Sequence, residues 1–158
     1  MPKITPFLWF DKEAEEAAHF YVSLFKNSQV LDVTQYGEAG PGEPGSAMTV
    51  EFEIDGQKVI ALNGGPHFQH SEAFSFTVDC EDQAEVDRLW DELTADGGEE
   101  SQCGWLKDKY GLSWQIIPRR LLELTSDPDR AKANRVFECM LTMQKIDIAA
   151  LEEAANAS

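Results

Sequence analysis

Basic side chains are scarce in this chain: 13 lysines and arginines stand against 29 aspartates and glutamates, for a formal charge of −16. That balance repels phosphate backbones and anionic membrane surfaces, so nucleic acid and membranes are not expected partners. Long apolar runs are lacking as well. None approaches the ~18 residues of a membrane-spanning helix, and no basic start followed by an apolar stretch marks a secretory leader. The expected setting is the cytoplasm. Cysteine is limited to Cys80, Cys103 and Cys139, without CxxC spacing, which points to neither a disulfide framework nor a zinc site. Histidine is equally rare. His19 sits beside aromatic Phe20 and Tyr21, where packing explains it. His67 and His70 lie three apart in Pro66-His67-Phe68-Gln69-His70, a loop spacing that guarantees no shared face.

What the chain does have is the same statement made twice. Phe7-Leu8-Trp9-Phe10-Asp11 leads into a helical stretch, and Phe74-Ser75-Phe76-Thr77-Val78-Asp79 leads into another. With Asp11 laid on Asp79, the apolar positions Ala18, Tyr21, Val22 and Phe25 fall on Val86, Leu89, Trp90 and Leu93. Two copies of one supersecondary unit are too few for a solenoid, and such pairs commonly enclose a site.

Each copy reads as β-α-β-β-β. In the first, residues 4–10 are β-branched and aromatic, as a buried strand requires. Asp11 is a plausible N-cap, with Glu13, Glu15 and Glu16 in the first turns, where they suit the helix dipole. Residues 29–36 read as a strand, and Gly37 to Gly45 as a loop, either a mobile flap or a plain connector. Met48–Ile54 and Gln57–Leu62 flank Asp55-Gly56, the strongest short hairpin signal. In the second copy, a strand from Ala73 to Val78 enters a helix over about 82–95, closed by Gly97-Gly98. Short strands near Ser101, over Trp105–Lys107 and over Leu112–Ile117 complete it, and Pro118 stops the last. Two further helices are expected, from about Asp129 to Met143 and from Asp147 onward, with Asp147 as N-cap. The expected class is α+β, with units at 1–63 and 73–118, a joint at 64–72 and a helical extension at 119–158.

The segments Ala61-Leu62-Asn63-Gly64-Gly65-Pro66 and Cys103-Gly104-Trp105-Leu106-Lys107-Asp108-Lys109-Tyr110-Gly111-Leu112-Ser113-Trp114-Gln115, within this tandem repeat, resemble the PhnB-like branch of the glyoxalase/bleomycin-resistance/dioxygenase (vicinal oxygen chelate) superfamily. The resemblance covers about residues 3–118. Members of this branch often carry the label 3-demethylubiquinone-9 3-methyltransferase. A doubly wound methyltransferase would need a strand, a Gly-rich loop and a helix to seat its cofactor, and Asn63-Gly64-Gly65-Pro66 does not open a helix.

The resemblance implies a cupped site where enzyme members hold a divalent metal on His and Glu side chains. The matching positions here look like Pro6 and Ala73 at the two strand starts, Gln115 in place of a terminal Glu, and one of Ile60, Ala61 or Asn63. Metals need N and O donors converging from several strands, so neither a metal nor another cofactor is expected. The residues expected to bind a ligand are Trp9, Asn63, His67, Ser75, Trp105, Trp114 and Gln115, combining neutral hydrogen-bonding groups with apolar walls. Aromatic residues at alternating strand positions equally serve as core. Cys103 lies inside a motif without an activating base in sequence. The resulting expectation is a metal-free module that sequesters or senses a small organic ligand. The alternative is an enzyme of the superfamily, metal-dependent or of the methyltransferase kind its label names. The resemblance also implies a homodimer, and the apolar stripe from Ala133 to Leu141 needs a surface to cover.

Overall fold

The computed structural model describes residues 2–157. The chain divides into two compact units, one ending at Gln69 and the other beginning at His70. The first holds β1 (Phe7–Phe10), α1 (Ala14–Leu24), β2 (Gln29–Gln35), β3 (Ala47–Ile54) and β4 (Gln57–Asn63). The second holds β5 (Ser75–Cys80), α2 (Gln83–Thr94), β6 (Glu99–Glu100), β7 (Trp105–Lys107) and β8 (Ser113–Pro118), then α3 (Arg119–Thr125), α4 (Arg130–Met140) and α5 (Ile148–Asn156). The sheets are ordered β1-β4-β3-β2 and β5-β8-β7-β6. In each, the outer strand before the helix runs parallel to the unit's last strand and the other pairs are antiparallel. This is the tandem β-α-β-β-β arrangement read from the sequence.

In the first sheet, strand alternation sends Leu8, Val50, Phe52 and Ala61 into the core against α1, where the Tyr21 and Phe52 rings lie 6.2 Å apart. Burying these side chains is the main favourable contribution of the layer. The turn between β3 and β4 has positive φ at both Asp55 and Gly56, the mirror-image geometry that matches strand twist in a two-residue hairpin. One expectation needs correcting. Helix α1 begins at Ala14, its N-cap residue Glu13 makes no side-chain capping bond, and the first amide is satisfied by Asn63 from β4 instead of by Asp11.

In the second unit, Val86, Leu89, Trp90 and Leu93 of α2 are buried over Leu106, Trp114 and Ile116. Asp82 caps α2 by accepting from the Glu85 amide at 2.9 Å. Asp147 caps α5 as expected, accepting from the Ala150 amide. Helix α3 was not foreseen. Pro118 pairs with Cys80 at the end of β8 and is also the extended residue from which α3 starts. It is tolerated there because β7 pairs only with Ser113–Gln115, so the missing amide hydrogen faces no ladder partner on that side.

The three C-terminal helices bury Leu121, Leu124, Val136, Ile146 and Leu151 among themselves. They join the second sheet through the Cys103-Gly104 motif, whose amides donate to the carbonyls of Met143 and Gln144 at 2.8 Å each. Gly104 has φ +86°, and a Cβ there would press on Ile117 and Ile146, so only glycine suits both the turn and the packing. Gln83 completes the junction: its Nε2 donates to the Ile146 carbonyl and its Oε1 accepts from the Ile148 amide. Of the predicted α4 stripe, Ala133 and Val136 are buried, while Phe137 and Leu141 are 47% and 52% exposed. Among the described residues no helix is long and apolar enough to cross a membrane.

Candidate functional site

Each sheet has one face against a helix and one face turned away, and the register fixes which side chains reach the latter. In the first unit the row Trp9, Leu62, Thr49, Thr34 lies on the open face. The Trp9 ring meets Phe68 edge-on at 4.9 Å, and its Nε1 donates to the Gly65 carbonyl at 2.8 Å. Gly64 packs flat beneath that ring, closer than any Cβ could approach. Asn63 faces the helix side. Its Oδ1 accepts from the Ala14 amide at 2.8 Å, its Nδ2 donates to the Ala47 carbonyl at 3.1 Å, and its own carbonyl accepts from the Tyr36 hydroxyl. His67 is exposed in the turn that follows β4.

A cavity of about 530 Å³ opens beside these groups, lined by Asp11, Lys12, Tyr36, Gly42 and Asn63 among others. Residues 37–45 form a loop without regular structure, in which Gly42 stacks on the Tyr36 ring with no room for a side chain. The polar atoms of Asn63 and Tyr36 are already engaged with each other and with backbone, so they act as framework there.

In the second unit the open face carries Ser75, Ser113 and Lys107 in one row, and Thr77, Gln115 and Trp105 in the next. Gln115 Nε2 donates to Ser75 Oγ at 3.0 Å. Trp105 is half-buried alongside. Trp114 behaves differently. It alternates to the helix side, is 1% exposed, packs against Phe76 with tilted rings 5.1 Å apart and donates its Nε1 to buried Asp108 at 2.9 Å. Of the seven residues singled out in sequence, the second sheet thus brings Ser75, Gln115 and Trp105 together on one face. Asn63 and Trp114 sit in framework positions.

A second cavity, about 240 Å³, adjoins this face and is lined by Glu72, Glu99, Glu100, Trp105, Lys107 and Ser113, among others. Lys107 is ion-paired with Glu72; the shared hydrogen bond holds the Glu72 carboxyl below its ordinary range and raises the Lys107 ammonium. Glu100 Oε1 accepts from Trp90 Nε1 at 2.5 Å. The Ser113 hydroxyl is buried with no hydrogen-bond partner among the described residues. Sequence reasoning passed over Ser113 and Lys107. Period-two alternation within Lys107-Asp108-Lys109 and Ser113-Trp114-Gln115 was the available signal, because it places Ser113 on the side of Gln115.

The sequence matches the profile of the 3-demethylubiquinone-9 3-methyltransferase family over residues 2–117. The chain belongs to this PhnB-like family. It is 35% identical to the PhnB protein from Bacillus cereus, which carries the same description; 74% of this chain and 99% of that one align, with a TM-score of 0.68. Its fold is also that of protein PA1353 from Pseudomonas aeruginosa (17% identity, 75% of this chain and 98% of that one, TM-score 0.61). The fosfomycin resistance protein FosX from Listeria monocytogenes shares the fold at 16% identity, over 72% of this chain and 87% of that one, with a TM-score of 0.50. No curated protein matches the sequence.

Fold likeness carries no chemistry by itself, so the donors must be read directly. Pro6 and Ala73 offer no coordinating side chain. Ile60 is hydrocarbon, Asn63 is turned to α1, and Gln115 is a neutral amide bonded to a serine. Among the described residues no three His, Cys, Asp or Glu side chains come close enough to hold a metal ion. These residues do not fit a divalent cation. A nucleotide-type methyl donor fits no better: Gly64-Gly65 closes β4 and packs on Trp9 instead of opening a helix N-terminus. Nor is Cys80 a ready nucleophile, since burial first, then neighbouring Glu85 and Asp79, push its thiol up to about 12.

Proposed function

We propose that this protein binds a small organic molecule without a metal, on the open face of its second sheet. The observation that carries this reading is the Gln115 to Ser75 hydrogen bond. A neutral donor and acceptor pair stands where the superfamily resemblance implies a charged metal ligand, and Trp105 supplies an apolar wall beside it. Neutral, pre-oriented hydrogen-bonding groups next to an aromatic surface suit an organic ligand with polar atoms along one edge. In the same reading the protein is a homodimer, supported by the exposure of Phe137 on α4 and of Leu141 just beyond its end.

The test is a fragment screen by protein NMR on chelator-stripped protein, following the Ser75, Gln115 and Trp105 signals. Fragments that shift these three resonances together, and lose affinity in Gln115→Ala, support the reading. Ligands that bind only after a divalent metal is added would contradict it.

A further inference from the structure

The 240 Å³ cavity beside the second sheet has a chemical character of its own. Two carboxylates, Glu72 and Glu99, border it against a single ammonium, while the Glu100 carboxylate alternates to the helix side and accepts from Trp90 Nε1. That ammonium, Lys107, is already bonded to Glu72, and Glu99 stands opposite it in the β6–β7 ladder. An anion entering here would find its one attractive partner occupied by Glu72 and would face the Glu99 carboxylate. A cation would meet the reverse situation, within a chain whose charge of −16 already concentrates cations at its surface.

Ser113 adds the second, independent observation. Its residue is 1% exposed, its hydroxyl has no partner among the described residues, and the register places it on the same face as Lys107 and Ser75. Buried hydroxyls are nearly always hydrogen-bonded, so an unsatisfied one on a cavity wall marks where a guest's polar atom belongs. Trp105 lines the same cavity, and an indole face attracts an organic ammonium. A bare metal ion is a poorer match, because the carboxylates do not converge.

We infer that this cavity takes a small protonated amine carrying a hydroxyl, the ammonium held by the Glu99 side and Trp105 and the hydroxyl paired with Ser113. This rests on the reading of the second sheet's open face as a ligand surface and names the class of ligand.

The experiment is an NMR titration with four probes of nearly equal size: ethanolamine, propylamine, propionate and 1,2-propanediol, read at the Ser113 amide and the Trp105 indole. Ethanolamine is expected to bind about tenfold more tightly than propylamine, the worth of one hydrogen bond to a group otherwise left unpaired. Ser113→Ala should erase that preference while both amines still bind. Glu99→Gln, at an exposed position where folding is not at stake, should weaken both amines together. Equal binding of the two amines, unaffected by Ser113→Ala, would mean diffuse charge attraction and overturn the proposal. Shifts caused by propionate or propanediol instead would overturn the ligand class yet keep the open face as a binding surface. No shift at Ser113 or Trp105 with any probe, together with a failed fragment screen at Gln115, would overturn both.

Discussion

The Asn63 side chain caps a helix that lies 49 residues earlier in sequence: its Oδ1 accepts from the Ala14 amide at 2.8 Å, at the first turn of α1. The same amide group donates to the Ala47 carbonyl, so one residue of the Asn-Gly-Gly-Pro motif ties β4 to both α1 and β3. Asn63→Ala should destabilise the first unit by about 1–2 kcal/mol, through a lost cap and an orphaned carbonyl. Asn63→Asp keeps the acceptor, and its charge suits a helix N-terminus, so it should retain most of the stability. Amide exchange of α1 in both variants checks this, and equal protection in Asn63→Ala and the parent would count against the capping role.

Gly64 is required for a separate reason, the close approach of its backbone to the Trp9 ring. Gly64→Ala should lift the indole, break its hydrogen bond to the Gly65 carbonyl and lower stability by about 1–3 kcal/mol, as overpacking does. The accompanying signature is loss of the downfield Trp9 indole N–H resonance. An unchanged resonance would mean that the ring is not held there.

Asp108 is 2% exposed and accepts from the amides of Tyr110 and Leu112 and from Trp114 Nε1. Asp108→Asn must offer an NH2 to one of those donors. The expected loss is about 1–3 kcal/mol, read by denaturant unfolding. A neutral effect would show that the carboxylate is not the organiser of the Lys107 to Trp114 turn.

Much of this was visible in sequence because it is local. Asp55-Gly56 dictated a hairpin, Asp147 and Asp82 announced helix starts, and β7 spans the Trp105–Lys107 expected of a short strand there. The misses are non-local. Asp11 looked like a cap because it precedes the helix, whereas the capping oxygen arrives from β4. Pro118 read as a plain stop because sequence does not reveal that β7 ends too early to need its amide. For the candidate site, Ser113-Trp114-Gln115 alternates in either register equally well. Only the packing of Phe76 and Leu106 around Trp114 decides that tryptophan goes to the core and that the serine and glutamine go to the open face.

The junction between α2 and the C-terminal helices should respond to pH at both extremes. Asp87 is held below its ordinary value of 3.8 by the Gln83 amide and then by Lys145, and Lys145 is raised above 10.5 by Asp87. A depressed carboxylate stabilises above its unfolded value and loses that contribution as pH falls through its folded one. A raised ammonium stabilises below its unfolded value and loses that as pH rises through its folded one. The link is therefore intact between about pH 4 and 10. The Lys145 and Asp87 side chains are 38% and 45% exposed, so solvent screening keeps the effect under about 1 kcal/mol. Lys145→Met should lower the thermal midpoint slightly at neutral pH and converge with the parent in strong acid; a constant difference at all pH values would contradict the ion pair.

The most direct test of metal-free binding is thermal unfolding of chelator-stripped protein with and without excess Mn(II), Ni(II), Zn(II) or Fe(II). A site filled at ~100 times its dissociation constant would add about 2.7 kcal/mol and move the midpoint by several degrees at this size. With Gln115 an amide bonded to Ser75, the predicted result is no metal-dependent rise. A rise of several degrees with one of these metals, abolished by Gln115→Ala, would contradict the account and make the second sheet a metal centre.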